Sequence, residues 1–181
     1  VVAVDDDHAA RRATEHLIEL GHRDIAFVGG SPVSHWAHVD QDRLAGYRHA
    51  MREAGLSAFV RHVPSEVTMP GGYAAAADLL GDARRRPTAL VGVCDEVAIG
   101  AVIAARRLGI QVPSALSVVG IDDHEFADMF ALTTLQQVPR EQGVAAAEVL
   151  LAEIADPERV RTTLRIPTRL IVRNSTAAPA G

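Results

Sequence analysis

With 181 residues, 48% of them hydrophobic and 23% charged, the chain can bury the core of one large or two small domains, and its mean hydropathy of +0.10 excludes a disordered tail. A formal net charge of -5 argues against a surface that grips phosphates, and 4% aromatic residues are too few for a row of base-stacking platforms. No apolar run approaches the ~20 residues that span a bilayer, and a single cysteine cannot form an internal disulfide, which fits a reducing compartment.

Taken in chain order, continuous apolar runs at Val1 to Val4, Ile25 to Val28, Phe59 to Val63, Ala89 to Val93 and Leu116 to Ile121 read as strands buried on both faces of a parallel sheet. Amphipathic stretches between them end in glycine at Gly21, Gly55, Gly81 and Gly109, where a left-handed residue stops a helix. Asp7 and Asp95 are candidate N-caps, and Pro70 suits a first helical turn. A glycine stop about every thirty residues matches one β-α unit, so the fold class is α/β with an open, doubly wound parallel sheet.

After Ile121 the rhythm breaks. Asp122-Asp123-His124-Glu125 opens a polar connection, and Leu132-Thr133-Thr134-Leu135 reads as a short strand. Pro139 starts a helix to about Ala155, with Val144, Ala147, Leu151 and Ile154 on one stripe. The extended segment from Thr162 to Val172 contains Pro167, which removes a ladder donor, so the strand must bend, change sheets or lie at an edge there. Asn174-Ser175-Thr176 has the form of a glycosylation acceptor; the start of the chain shows no basic n-region, and that use is set aside. All 18 basic residues are arginine, which carries no function of its own.

Ligands of open α/β sheets sit beyond the carboxyl ends of the strands. Polar residues gather there: Asp5-Asp6-Asp7, Gly29-Gly30-Ser31, Cys94-Asp95-Glu96 and Asp122-Asp123. Carboxylates that accept from hydroxyls, with an arginine fork that donates, suit a polyhydroxylated small molecule; helix capping is the competing use of the acids. The phosphate loop, GxGxxG, HExxH and GxSxG motifs are absent. His35 and His38 lack a fixed third ligand, so no metal and no cofactor is expected. Cys94 at a helix start could have a lowered pKa, but without a histidine partner it reads as a pocket-lining or core residue. Trp36 could cover a sugar face or cap the core.

Several strings carry a resemblance. Glu15-His16-Leu17, Leu20-Gly21-His22-Arg23-Asp24-Ile25-Ala26-Phe27-Val28-Gly29-Gly30, Arg43-Leu44-Ala45-Gly46-Tyr47 and Pro87-Thr88-Ala89 come first. Asp95-Glu96-Val97-Ala98-Ile99-Gly100-Ala101, Gly109-Ile110-Gln111-Val112-Pro113 and Leu116-Ser117-Val118-Val119-Gly120-Ile121-Asp122-Asp123 follow. Leu132-Thr133-Thr134, Gly143, Pro167 and Leu170 to Thr176 complete the set. In this order they resemble the effector-binding module of the lac-repressor/galactose-repressor family of bacterial transcription regulators, over nearly the whole chain.

The resemblance implies a periplasmic-binding-protein-like fold, with one nearly complete lobe and a fragment of the second. It divides the chain into residues 1–131 in the C-terminal lobe, 132–166 in the N-terminal lobe, and 167–181 returning to the C-terminal lobe. It implies a small-molecule effector, a sugar or related polyol, and no catalytic residue. Arg43 then resembles the arginine that reaches effector oxygens, and Asp122 the carboxylate that accepts from effector hydroxyls. Cys94 stands where relatives often carry asparagine, and Val67 where they often place a stacking aromatic, so stacking is weakened unless Trp36 supplies it. Gln137 resembles a position near the ligand on the other lobe. The resemblance further implies a cytoplasmic homodimer with no membrane contact, its candidate interface being the helix from Glu96 to Arg107 through Val97, Ala101, Ala104 and Ala105. Operator DNA would be held by an N-terminal domain that precedes the residues seen here. A periplasmic-type sugar-binding protein and an α/β enzyme acting on a sugar, through Asp122-Asp123-His124-Glu125, are the rival readings.

Overall fold

The computed structural model describes residues 1–180 apart from 31–36, 157, 159, 161 and 162. Strands β2 (Ile25–Val28), β4 (Ala89–Gly92) and β5 (Ser117–Asp122) are buried almost throughout and form the middle of a six-stranded sheet. Continuous apolar runs are stable there because helices cover both faces. Strands β3 (Arg61–Val63) and β6 (Thr133–Gln136) flank them, giving the order β3-β2-β4-β5-β6-β8, in which β8 (Arg169–Ile171) alone is antiparallel. From β2 the chain passes through α2 (Ala37–Glu53) to β3 on one side, and from β4 through α4 (Asp95–Arg107) to β5 on the other. Right-handed crossovers running in opposite directions put these helices on opposite faces and leave a crevice between the carboxyl ends of β2 and β4. Helix α1 (Asp6–Glu19) packs on α2, and α3 (Met69–Gly81) on α4.

A second, two-stranded parallel sheet pairs β1 (Val2–Val4) with β7 (Leu164–Ile166), and α5 (Pro139–Ala155) lies against β1. This changes the division expected from the sequence. β1 is not a strand of the large sheet, and β6 is, so 1–131 and 132–166 do not separate the two units. β6 belongs with β5 because Thr133, Thr134 and Leu135 are all buried there, with the threonine hydroxyls donating to the Arg173 carbonyl and to Asp95 of α4. β7 is mostly exposed. The chain changes sheets at Pro167-Thr168, between β7 and the edge strand β8, where a missing ladder donor costs least.

Other local expectations are also revised. Asp5, not Asp7, caps α1, accepting from the His8 amide at 3.1 Å. Cys94 holds the N-cap position of α4 without a side-chain bond, and Asp95 begins the helix fully buried. Pro70 does sit in the first turn of α3, capped by Thr68. Phe59 ends a short 3-10 turn (Ser57–Phe59) and is half exposed, so β3 starts later than its apolar run. Gly21, Gly55 and Gly109 take positive φ past their helices, whereas Gly81 stays within α3. Val97, Ala101, Ala104 and Ala105 are buried inside this chain, so that face of α4 is no interface. The stripe on α5 is uncovered: Val144, Leu151 and Ile154 are 53%, 66% and 67% exposed.

The carboxy-terminal segment is strapped across the large sheet. His22, buried, meets the Ala177 carbonyl at 2.8 Å and Ser117 Oγ at 3.0 Å, while His16 meets Thr176 at 3.0 Å. Ser175 donates to the Val118 carbonyl and accepts from the Thr133 amide.

One glycine positions the crevice. A Cβ on Gly46 of α2 would collide with the Asp7 carbonyl oxygen of α1. The backbones therefore touch, and one turn away Arg43 stands against Asp6. Gly46→Ala is expected to cost about 1–3 kcal/mol, the range for an overpacked contact. Urea denaturation of the variant beside the parent protein measures it.

Candidate functional site

Arg43 enters the crevice from the second turn of α2, its side chain only 7% exposed. Each guanidinium nitrogen is bonded. Nε donates to Asp6 at 2.8 Å, Nη1 to the Val93 carbonyl at 2.7 Å, and Nη2 to Asp122 at 3.2 Å. Three elements thus meet on one cation: the start of α1, the end of β4 and the end of β5. A planar fork suits this task because its donors diverge in fixed directions.

Asp122 and Asp123 both have positive φ, +129° and +57°, where non-glycine residues seldom lie. This turn sends the two carboxylates to different partners. Asp122 Oδ1 takes Arg43 and, at 2.7 Å, Gln137 Nε2. Asp123 takes Arg173 at 2.8 Å and Gln136 at 2.7 Å. Burial pushes the Asp122 carboxyl up to about 6 against the opposing pull of Arg43, and the nearby charges of Asp95 and Asp6 add to the rise. Behind it, Asp95 accepts from the Thr134 hydroxyl at 2.6 Å and the His124 amide at 2.8 Å. It fits only because position 120 is glycine, where a Cβ would strike its carboxylate. Burial raises the Asp95 pKa as well, and the two hydrogen bonds oppose the rise.

The structure brings together Arg43, Asp122 and Gln137 from the sequence-predicted set. Cys94 lies next to Val93 in the core, 6% exposed, and burial pushes its thiol up to about 12. The helix start therefore does not activate it: the thiol stays neutral at physiological pH. Val67 packs, partly buried, against the core ahead of α3. Trp36, with His35 and Ser31, lies outside the described residues. Gly29 and Gly30 serve the strand exit, both at positive φ, with Gly29 tight against Val93. Among the described residues, no group of three or more His, Cys, Asp or Glu side chains could hold a metal ion.

Asp6 is the site residue that sequence reasoning missed. The triple Asp5-Asp6-Asp7 stood out as a group, but its division of labour is tertiary. Asp5 caps α1, Asp6 pairs with Arg43, and Asp7 meets His49 at 3.0 Å.

Comparison with known proteins defines the class. The family model for the periplasmic binding protein-like domain matches residues 14–176, and the chain belongs to that family. It is 35% identical over 171 residues to the HTH-type transcriptional repressor PurR of Vibrio campbellii, covering 90% of this chain and 48% of that one. It is 37% identical over 190 residues to the HTH-type transcriptional regulator MalR of Streptomyces coelicolor, covering 99% and 53%. The chain thus spans about half the length of these relatives. Among solved structures, a LacI family transcriptional regulator from Enterococcus faecium with bound ribose matches with a TM-score of 0.87 and 29% identity, over 98% of this chain and 65% of that one. A dimeric lac repressor matches with a TM-score of 0.88 and 27% identity, over 99% and 64%.

Arg43→Ala is expected to destabilise the domain by about 2–4 kcal/mol at neutral pH, because it leaves two carboxylates without their cation. The loss should shrink near pH 5. Asp122 already binds its proton more readily when folded than when unfolded, and losing Arg43 raises it further. The variant therefore gains relative stability as pH falls through that range. Denaturation curves of both proteins at the two pH values check magnitude and sign.

Proposed function

We propose that this domain is the effector-sensing module of a bacterial DNA-binding transcription regulator, and that its effector is a sugar or related polyol. The observation that carries the reading is the Arg43–Asp6–Asp122–Gln137 cluster at the crevice of the large sheet. It supplies charged acceptors and an amide, within a fold shared with a regulator solved with ribose. Asp6 opens α1 two residues after β1 and Gln137 lies between β6 and α5, so both sit where the chain passes between the large and small sheets. An effector that competes for Asp122 or Arg43 alters the bonds that fix these crossings, and so biases how the two sheets stand to each other.

The full-length regulator works in the cytoplasm as a homodimer. It grips operator DNA through a segment outside this chain and uses neither catalytic residue nor cofactor. Its relatives are transcription regulators, which favours sensing over turnover. The second copy is taken on the groove between α3 and α4, lined by Met69, Pro70, Tyr73, Ile103 and Arg107, with the Arg107 guanidinium 5.4 Å from the Tyr73 ring centroid. A second copy is favoured as the occupant because the lac repressor that this chain resembles is dimeric. Ile103→Asp in the full-length protein is expected to shift it toward monomer in sedimentation, and an unchanged dimer would exclude this groove.

Calorimetry on the full-length protein with neutral sugars, beginning with ribose, tests the sensing function. Arg43→Ala and Asp122→Ala should each weaken binding by about 1–3 kcal/mol, and undiminished affinity in both would refute the site. Effector and operator must also change each other's affinity by the same factor.

A further inference from the structure

Asp95 is an acid at a helix start that does not serve its helix. It opens α4 fully buried, yet among the described residues its carboxylate bonds to no amide of α4. It turns to the neighbouring strands instead. Oδ1 accepts from the Thr134 hydroxyl of β6 at 2.6 Å, and Oδ2 from the His124 amide at 2.8 Å. Thr134 Oγ1 in turn accepts from the Asp123 amide at 3.3 Å. The two amides that follow Asp122 are thus held, directly or through one hydroxyl, by a single carboxylate.

Those amides belong to the turn that aims Asp122. Residues 122 and 123 both have positive φ, a conformation that persists only where surrounding bonds over-determine it. The Asp123 side chain is anchored separately by Arg173 and Gln136, which tie the turn to the sheet without fixing the direction of Asp122. Room for the Asp95 carboxylate is made at Gly120, where a Cβ would strike it. The sheet is therefore shaped to admit an acid that the helix does not use.

Resting on the sensing function and site proposed above, we propose that Asp95 is a positioning residue for the effector. With Thr134 it clasps the backbone of residues 122–124, and so directs the Asp122 carboxylate into the crevice. Being wholly buried, it touches no ligand itself. Its hydrogen bonds do this work and not its charge. An amide in its place still accepts from His124 through oxygen and donates to Thr134 through nitrogen.

The test is calorimetry on the full-length protein with ribose, glucose and fructose, with melting temperatures recorded. It is run at about pH 8, where Asp122 is ionised, above the value of about 6 to which burial raises it. Asp95→Ala should weaken binding of the sugar that the parent takes about tenfold, as one misdirected acceptor does. Asp95→Asn should restore affinity to within about twofold of the parent, since its amide keeps the clasp. Leu80→Ala, a buried change where α3 leads into β4 at the other end of the sheet, should lower stability and leave affinity unchanged. In an Asp122→Ala background, Asp95→Ala should weaken binding no further, because it has no carboxylate left to direct. If Asp95→Ala fails to fold, Thr134→Val, which keeps the shape but not the hydroxyl, must lose affinity that Thr134→Ser retains. Parental affinity in the folded alanine or valine variant overturns the proposal and leaves the sensing function standing. So does an Asp95→Asn protein as weak as Asp95→Ala, or an equal loss with and without Asp122. A parent that binds none of the sugars defeats the sugar reading and this proposal with it.

Discussion

A guanidinium taken out of water needs replacement for every lost hydrogen bond, and a lone buried charge would cost more than most single contacts return. Arg43 offsets that cost where the sheet changes winding direction, with three of its five N–H donors bonded and two carboxylates beside it. Its three bonds run to the first turn of α1, the backbone after β4 and the last residue of β5. None of these partners is close to it in sequence, so the bonds become possible only when sheet and helices are assembled. The same bonds then fix the geometry of the crevice. The close backbone contact of Gly46 with Asp7 puts the arginine within reach of Asp6, and the paired left-handed residues at 122 and 123 turn the Asp122 carboxylate toward it.

The cluster also lies where motion can be read. The chain passes between the large and small sheets at three places: between β1 and α1, between β6 and α5, and between β7 and β8. Asp6 occupies the first crossing and Gln137 the second, and both are tied to the large-sheet pair Arg43 and Asp122. Packed sheets are close to rigid, so a relative displacement concentrates its backbone changes at such connections. A change in the bonds of either carboxylate therefore acts directly on the connections. The crevice cluster and the crossings are thus joined directly, with no long chain of intermediaries.

Much of this was legible beforehand. Valine- and isoleucine-rich runs marked β2, β4 and β5, since only strands covered on both faces tolerate such continuity. Proline and the apolar period marked α5 from Pro139 to Ala155. Arg43 and Asp122 stood out through the resemblance of their flanking strings. Membership of a sheet was not legible: β1 reads like any buried strand yet pairs with β7, and β6 reads like a departure from the large sheet yet extends it. Nor was the use of individual acids. Asp5, Asp6, Asp7 and Asp95 are alike as residues, and their work as cap, ion-pair partner, surface contact and buried acceptor is assigned by neighbours distant in the chain.

What the sequence alone determined, then, are properties set within a few residues: which stretches extend or coil, where helices stop, and which positions carry ionisable groups. Those follow from backbone sterics and hydrophobic period, which act locally. Tertiary structure alone decided which strands pair, which face of α4 is spent inside the core, and which of three consecutive aspartates meets Arg43. Each of these depends on contacts between segments tens of residues apart, and a chain's local pattern is equally compatible with several such pairings until burial and charge select one.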